Sequence, residues 1–124
     1  MDSSLSYQIA QVERCICFSL TGKLRMNETV QKISNDFKAL GDEASARILL
    51  DLRKLKSLDS SGIGTLVIWK RIIDDSGGVV AILVAPDSAP RHVLESTALD
   101  QMIPLFTDLN EAIKFLKFRY LSPD

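Results

Sequence analysis

The sequence predicts one α/β domain spanning residues 1–124, with a mixed, mostly parallel sheet of about five strands covered by about four helices. Three observations support this. After an opening hairpin, segments with strand and helix patterns alternate to the end of the chain. The strand segments include unbroken apolar runs, as expected of strands buried on both faces. No low-complexity tract, internal repeat or long linker divides the 124 residues, a length that suits a single core.

Ser6 to Ala10 reads as a short strand. Arg14 to Leu20 reads as a clearer one, with Ile16, Phe18 and Leu20 alternating with Cys15, Cys17 and Ser19. That period of two predicts a sheet with one face more deeply buried, and Thr21-Gly22 is expected to end the strand. Asn27 is placed to cap a helix whose apolar stripe is Val30, Ile33, Phe37 and Leu40, with Gly41 as its terminator. Arg47 to Leu52 holds the run Ile48-Leu49-Leu50 and suits a central strand. Arg53 to Ser57 reads as a polar connection into a turn at Asp59-Ser60-Ser61-Gly62. A helix follows to Ser76, closed by Gly77-Gly78, and Val79 to Ala85 is the next buried strand. Pro90 suits the first turn of a helix that runs to about Thr97. Ile103 to Phe106 is a last short strand. Thr107 or Asp108 caps a final helix with the stripe Leu109, Ala112, Ile113, Leu116 and Tyr120.

Composition narrows the function classes. A net charge of −1, with acidic and basic residues interspersed, argues against a nucleic-acid partner. The N-terminus lacks the pattern of a signal peptide, and the longest apolar runs fall far short of a bilayer span, so no membrane partner and a cytoplasmic location are expected. Cys15 and Cys17 lie about two strand rises apart on one face, a poor geometry for a disulfide. With His92 the only histidine, they lack the companions of a metal site, so free, buried thiols are expected. No metal and no cofactor is implied.

The polar cluster at the strand-to-helix turn is the candidate site. Helix N-termini expose unpaired amides and the positive end of the macrodipole, a setting that receives a phosphate. Gly62 and Gly64, lacking side chains, are read as keeping the approach open to another protein. A capping Asp followed by Ser and Gly is also an ordinary helix start, so the local pattern alone leaves both readings open. A nucleophilic serine finds no support: no imidazole base neighbours it in sequence, the turn lacks the glycine that precedes the serine of a nucleophile elbow, and no Walker loop occurs. The chain is therefore not expected to be an enzyme. On a helical projection Leu66, Ile68, Trp69, Ile72 and Ile73 form the arc expected to face the sheet. Lys70, Arg71, Asp74 and Asp75 form the opposite arc. Ile63 and Val67 fall on that polar arc beside Ser60, which reads as a small docking patch.

Ile48-Leu-Leu-Asp-Leu52, Leu58-Asp-Ser-Ser-Gly-Ile-Gly64 and Gly77-Gly-Val-Val-Ala-Ile-Leu83 together resemble the STAS domain of bacterial anti-sigma factor antagonists. Leu20-Thr-Gly-Lys-Leu24 and Val93-Leu-Glu-Ser-Thr-Ala-Leu99 extend the resemblance over nearly the whole chain, although Arg25 to Glu28 lacks the Asp that often follows the first of these stretches. The resemblance implies a single STAS domain whose phosphorylated residue is Ser60, with Asp59, Ser61 and Gly62 as its neighbours; the patch read from the residues, Ile63, Gly64 and Val67, is then the expected partner surface. It implies a kinase-type anti-sigma factor or related serine protein kinase as partner, bound by the unphosphorylated form. It also implies a serine phosphatase acting on the phosphorylated form, so that partner switching regulates transcription. The alternative within the same family is a non-switching STAS interaction module, of the kind found in stress-signalling scaffolds, lipid-transport complexes or anion transporters.

Overall fold

The computed structural model describes residues 4–25, 27–41 and 46–121. Strand β1 (Ser6–Val12) turns at Glu13-Arg14 into β2 (Cys15–Leu24), and the two pair antiparallel in unbroken register from Ser6↔Thr21 to Val12↔Cys15. Helix α1 (Glu28–Gly41) leads to β3 (Arg47–Leu58), then α2 (Ser60–Asp75), β4 (Val79–Leu83) and α3 (Ala89–Ser96). A 3-10 turn (Leu99–Gln101), β5 (Leu105–Phe106) and α4 (Leu109–Leu121) complete the described chain. The sheet order is β1-β2-β3-β4-β5, with every pair after the hairpin parallel. The expected mixed sheet, N-terminal hairpin and four helices are all present.

Two cores lie on opposite faces of the sheet. The larger gathers Phe18, Leu20, Leu50 and Leu52 from the strands with Ile33 and Phe37 of α1, Leu66, Trp69 and Ile73 of α2, and Leu94 of α3. Within it Tyr7, Phe18, Phe37 and Trp69 form a chain of rings, with successive centroids 6.4, 4.7 and 5.0 Å apart. This chain ties the edge strand to α2. The smaller core is formed by Cys15, Cys17, Leu49, Ala81 and Leu83 beneath Ala112, Ile113 and Leu116 of α4. Alternate residues of β2 thus feed two cores, with Cys15 and Cys17 buried on one side and Phe18 on the other. Both cysteines are free thiols, as expected.

The helix ends follow the expected chemistry. Asn27 Oδ1 accepts from the Val30 amide at 3.0 Å, and Asp108 Oδ2 accepts from the Glu111 amide at 3.0 Å. Ser88 caps α3, with Pro90 in its first turn. Helix α1 runs to Gly41, the residue expected to terminate it; residues 42–45 and the side chain of Tyr120 lie outside the described residues.

Strand β1 runs on to Val12, β4 stops at Leu83 short of Ala85, and β5 begins at Leu105 rather than Ile103. Two larger differences from expectation share one reason. Strand β2 continues through Thr21-Gly22 to Leu24, and Arg53 to Ser57 is not a connection but the second half of β3. The two extensions pair with each other through register shifts between Ser19 and Thr21 and between Gly22 and Lys23, with Gly22 at a φ of +106°. These irregularities give Leu52, Leu55 and Leu58 a spacing of three while all remain buried, so the period of two is broken. Beyond Asp51, β3 has no pairing with β4, and its remaining residues form a two-stranded extension with β2 that ends at the start of α2.

Candidate functional site

The start of α2 is fixed by Asp59. Its backbone is extended, and its Oδ1 accepts from the Gly62 amide at 2.9 Å and from Ser61 Oγ at 2.7 Å. The Asp59 carbonyl accepts from the Ile63 amide at 2.9 Å and begins the helical ladder. The Ser61 hydroxyl, the Gly62 amide and the nearby charge of Arg25 hold the Asp59 carboxyl below its ordinary value of 3.8. The helix start is therefore already matched to one anion, the carboxylate of Asp59.

Ser60 occupies the first helical position and is exposed. Its hydroxyl has no hydrogen-bond partner among the described residues. At about 100° per residue it lies on the side of α2 opposite Trp69, the buried anchor of the helix. Trp69 is itself fixed by a 2.9 Å hydrogen bond from its indole Nε1 to Ser34 Oγ on α1. The packing that buries Trp69 thus turns Ser60 outward.

The two glycines of the turn have different roles. Gly62 is buried, and a Cβ there would lie 2.4 Å from the Leu24 carbonyl oxygen and 2.6 Å from Leu58 Cδ1. Its missing side chain lets α2 approach the ends of β2 and β3. It does not open the surface, which corrects the reading of Gly62 as clearing the approach for a partner. Gly64 is exposed, and a Cβ there would meet nothing within 4 Å. Only Gly64 leaves free surface beside Ser60.

Ile63 and Val67 are half-buried and pack partly against the larger core. Ile68, expected to face the sheet, is instead 54% exposed. The helix buries Gly62, Thr65, Leu66, Trp69 and Ile73, a narrower arc than hydrophobicity implied because a glycine and a threonine occupy part of it. The more exposed apolar surface on the Ser60 side of α2 is therefore Ile68 with Val67, two turns along the helix. Their flanking position on the projected arc was the available signal, and the hydrophobicity of Ile68 obscured it. Val67 also borders a shallow cavity of about 280 Å³ with Lys70, Arg71 and the 47% exposed Met102.

His92, on α3, is exposed, and among the described residues no three His, Cys, Asp or Glu side chains are grouped as for a metal ion. No described helix is long and apolar enough to cross a membrane. The geometry defines a small α/β module in which a helix start, rather than a cleft, is the prominent polar feature.

The chain belongs to the STAS domain family, whose model matches residues 6–112. A protein of Thermotoga maritima described as an anti-sigma factor antagonist is 34% identical over 68 residues, covering 55% of this chain and 59% of that relative. The chain thus spans about three-fifths of the length of this curated relative. An anti-sigma factor antagonist from Mycobacterium paratuberculosis has the same fold, with a TM-score of 0.77 at 18% identity over 94% of this chain and 97% of its own. The anti-sigma factor antagonist SpoIIAA in its unphosphorylated form matches with a TM-score of 0.71 at 21% identity, covering 90% and 96% of the two chains. The fold is that of the anti-sigma factor antagonists.

Proposed function

We propose that this protein is an anti-sigma factor antagonist whose binding is switched by phosphorylation of Ser60. In its unphosphorylated form it binds a kinase-type anti-sigma factor through the first turn of α2 and the adjoining surface of Gly64, Val67 and Ile68, with Ile63 at the margin. The partner phosphorylates Ser60 and is released, and a serine phosphatase restores the binding form. The role is regulatory rather than enzymatic, and it belongs to the cytoplasm, where sigma factors act.

The observation that carries this reading is the exposed hydroxyl of Ser60, without a hydrogen-bond partner among the described residues, next in sequence to the Asp59 carboxylate. A phosphate would add about −1.5 to −2 charges at pH 7. Asp59 already takes the Gly62 amide, so the phosphate is not drawn into the helix start and projects toward the partner. A partner surface fitted to a neutral hydroxyl then meets two neighbouring anions and a large desolvation cost. A hundredfold loss of affinity needs only about 2.7 kcal/mol. No change of fold is required.

The test combines the purified chain with kinase-type anti-sigma factors from its own genome and ATP. Phosphate is expected on Ser60, lost in Ser60→Ala, and binding is expected to fall in Ser60→Asp. Binding of Ser60→Asp equal to wild type overturns the switch and favours a non-switching STAS interaction module.

A further inference from the structure

The sheet has an edge away from the α2 site that natural proteins seldom leave unguarded. Among the described residues, strand β1, Ser6-Tyr7-Gln8-Ile9-Ala10-Gln11-Val12, pairs only with β2, which leaves one side of its backbone without a strand partner there. Edge strands are usually protected by charges, prolines, bulges or brevity. Here seven consecutive residues contain no charge and no proline, and their register with β2 is unbroken. The other sheet edge, β5, has two residues. Ile9, at the centre of β1, is 49% exposed. Beside it runs a groove of about 350 Å³ between β1 and α1, lined mainly by Ile9, Ile16, Phe18, Ala39 and Leu40 with Asp36 at its side. Asp36 is bound by the Tyr7 hydroxyl at 2.9 Å, so this carboxylate is engaged within the subunit.

We propose that β1 pairs with β1 of a second copy of this chain, antiparallel about a two-fold axis at Ile9, to form a continuous ten-stranded sheet. The strand is its own complement in this arrangement. Ile9 faces Ile9, Gln8 faces Ala10, Tyr7 faces Gln11 and Ser6 faces Val12, so no charge on either strand is brought against another. Because α1 follows β2 and precedes β3 in a parallel crossover, it runs in the direction of β1. The two-fold therefore sets the two α1 helices antiparallel on one face of the joined sheet. The grooves beside them merge over the paired Ile9 side chains and close around them. An unrelated strand would satisfy the backbone equally well, but only a second copy supplies an uncharged strand in matched register together with a second groove. One strand pair is a small interface, in the size class of weak, reversible association. The proposal is independent of the α2 switch, since Ser60 follows β3, two strands in from this edge.

Sedimentation equilibrium of the full chain, taken to about 1 mM, tests it. A reversible monomer–dimer equilibrium is expected, with dissociation constant below about 1 mM, corresponding to about −4.1 kcal/mol. Ile9→Lys and Ile9→Glu are each expected to weaken association at least tenfold with unchanged far-ultraviolet circular dichroism, since like charges meet at the axis. Mixing the two variants is expected to restore dimers, because opposite charges then meet. A chain monomeric throughout the range, an Ile9→Lys variant that associates like wild type, or a mixture that stays monomeric overturns the proposal.

Discussion

Replacing Gly62 with alanine is expected to destabilise the fold by about 1–3 kcal/mol, the range for an extra methyl forced into a packed interior. The added Cβ would sit 2.4 Å from the Leu24 carbonyl oxygen and 2.6 Å from Leu58 Cδ1. Ordinary contacts of this kind lie near about 3.5–4.0 Å, so relief requires a local movement of about 1 Å. Leu58 can turn its side chain, but the Leu24 carbonyl belongs to the backbone of β2, so the start of α2 has to lift. Lifting it loosens Leu66, which is fully buried one turn further along. The higher helix propensity of alanine returns at most about 1 kcal/mol and does not reverse the sign. Gly64→Ala, two residues away in open space, is expected to stabilise by about 0.5–1 kcal/mol. Urea unfolding monitored by Trp69 fluorescence measures both. If the two substitutions shift the midpoint in the same direction, the account of Gly62 as a close-approach residue fails.

Ile68→Glu is expected to leave the urea midpoint within about 0.5 kcal/mol of wild type, as an exposed substitution does, while weakening capture of the proposed anti-sigma factor partner. An unchanged affinity removes Ile68 from the docking surface. Ser34→Ala strands the indole N–H of Trp69 in the core and is expected to cost about 1–3 kcal/mol in urea unfolding. A depressed carboxyl contributes stability that is present above its unfolded pKa and is lost as pH falls through the folded value. Wild type is therefore expected to lose stability as pH drops below the ordinary aspartate value of 3.8, and Asp59→Asn to show a shallower loss there; parallel pH profiles would contradict the capping role. Burial pushes the Cys15 and Cys17 thiols up, so neither is expected to react with iodoacetamide in the native state, and rapid labelling without denaturant would refute their burial.

Much of this architecture was legible because it rests on local chemistry. The run Ile48-Leu49-Leu50, the stripe Val30-Ile33-Phe37 and the caps Asn27, Asp59 and Asp108 each carry their own signal. Three features were not legible, and each depends on a contact distant in sequence. The second half of β3 looked like a polar connection because only its pairing with β2 across an irregular register makes it a strand. Gly62 looked like a clearing until the Leu24 carbonyl was placed against it. Ile68 looked like core, although the burial of Gly62 and Thr65 rotates α2 so that it faces solvent. At the candidate site, the sequence pattern identified the helix start, while the outward aim of Ser60 follows from the anchoring of Trp69.

The division of the interior into two cores has a consequence for synthesis. One face of the sheet is covered by helices that arise between its strands, so that face is sheltered as the chain emerges. The other face, bearing Cys15, Cys17, Leu49, Ala81 and Leu83, is covered by α4, which begins only at Leu109. A nascent chain can thus complete its strands while one side of the sheet is still bare, and the last helix closes the domain. Ribosome stalling or truncation before α4 would leave that greasy side uncovered, marking unfinished copies for chaperones and proteases.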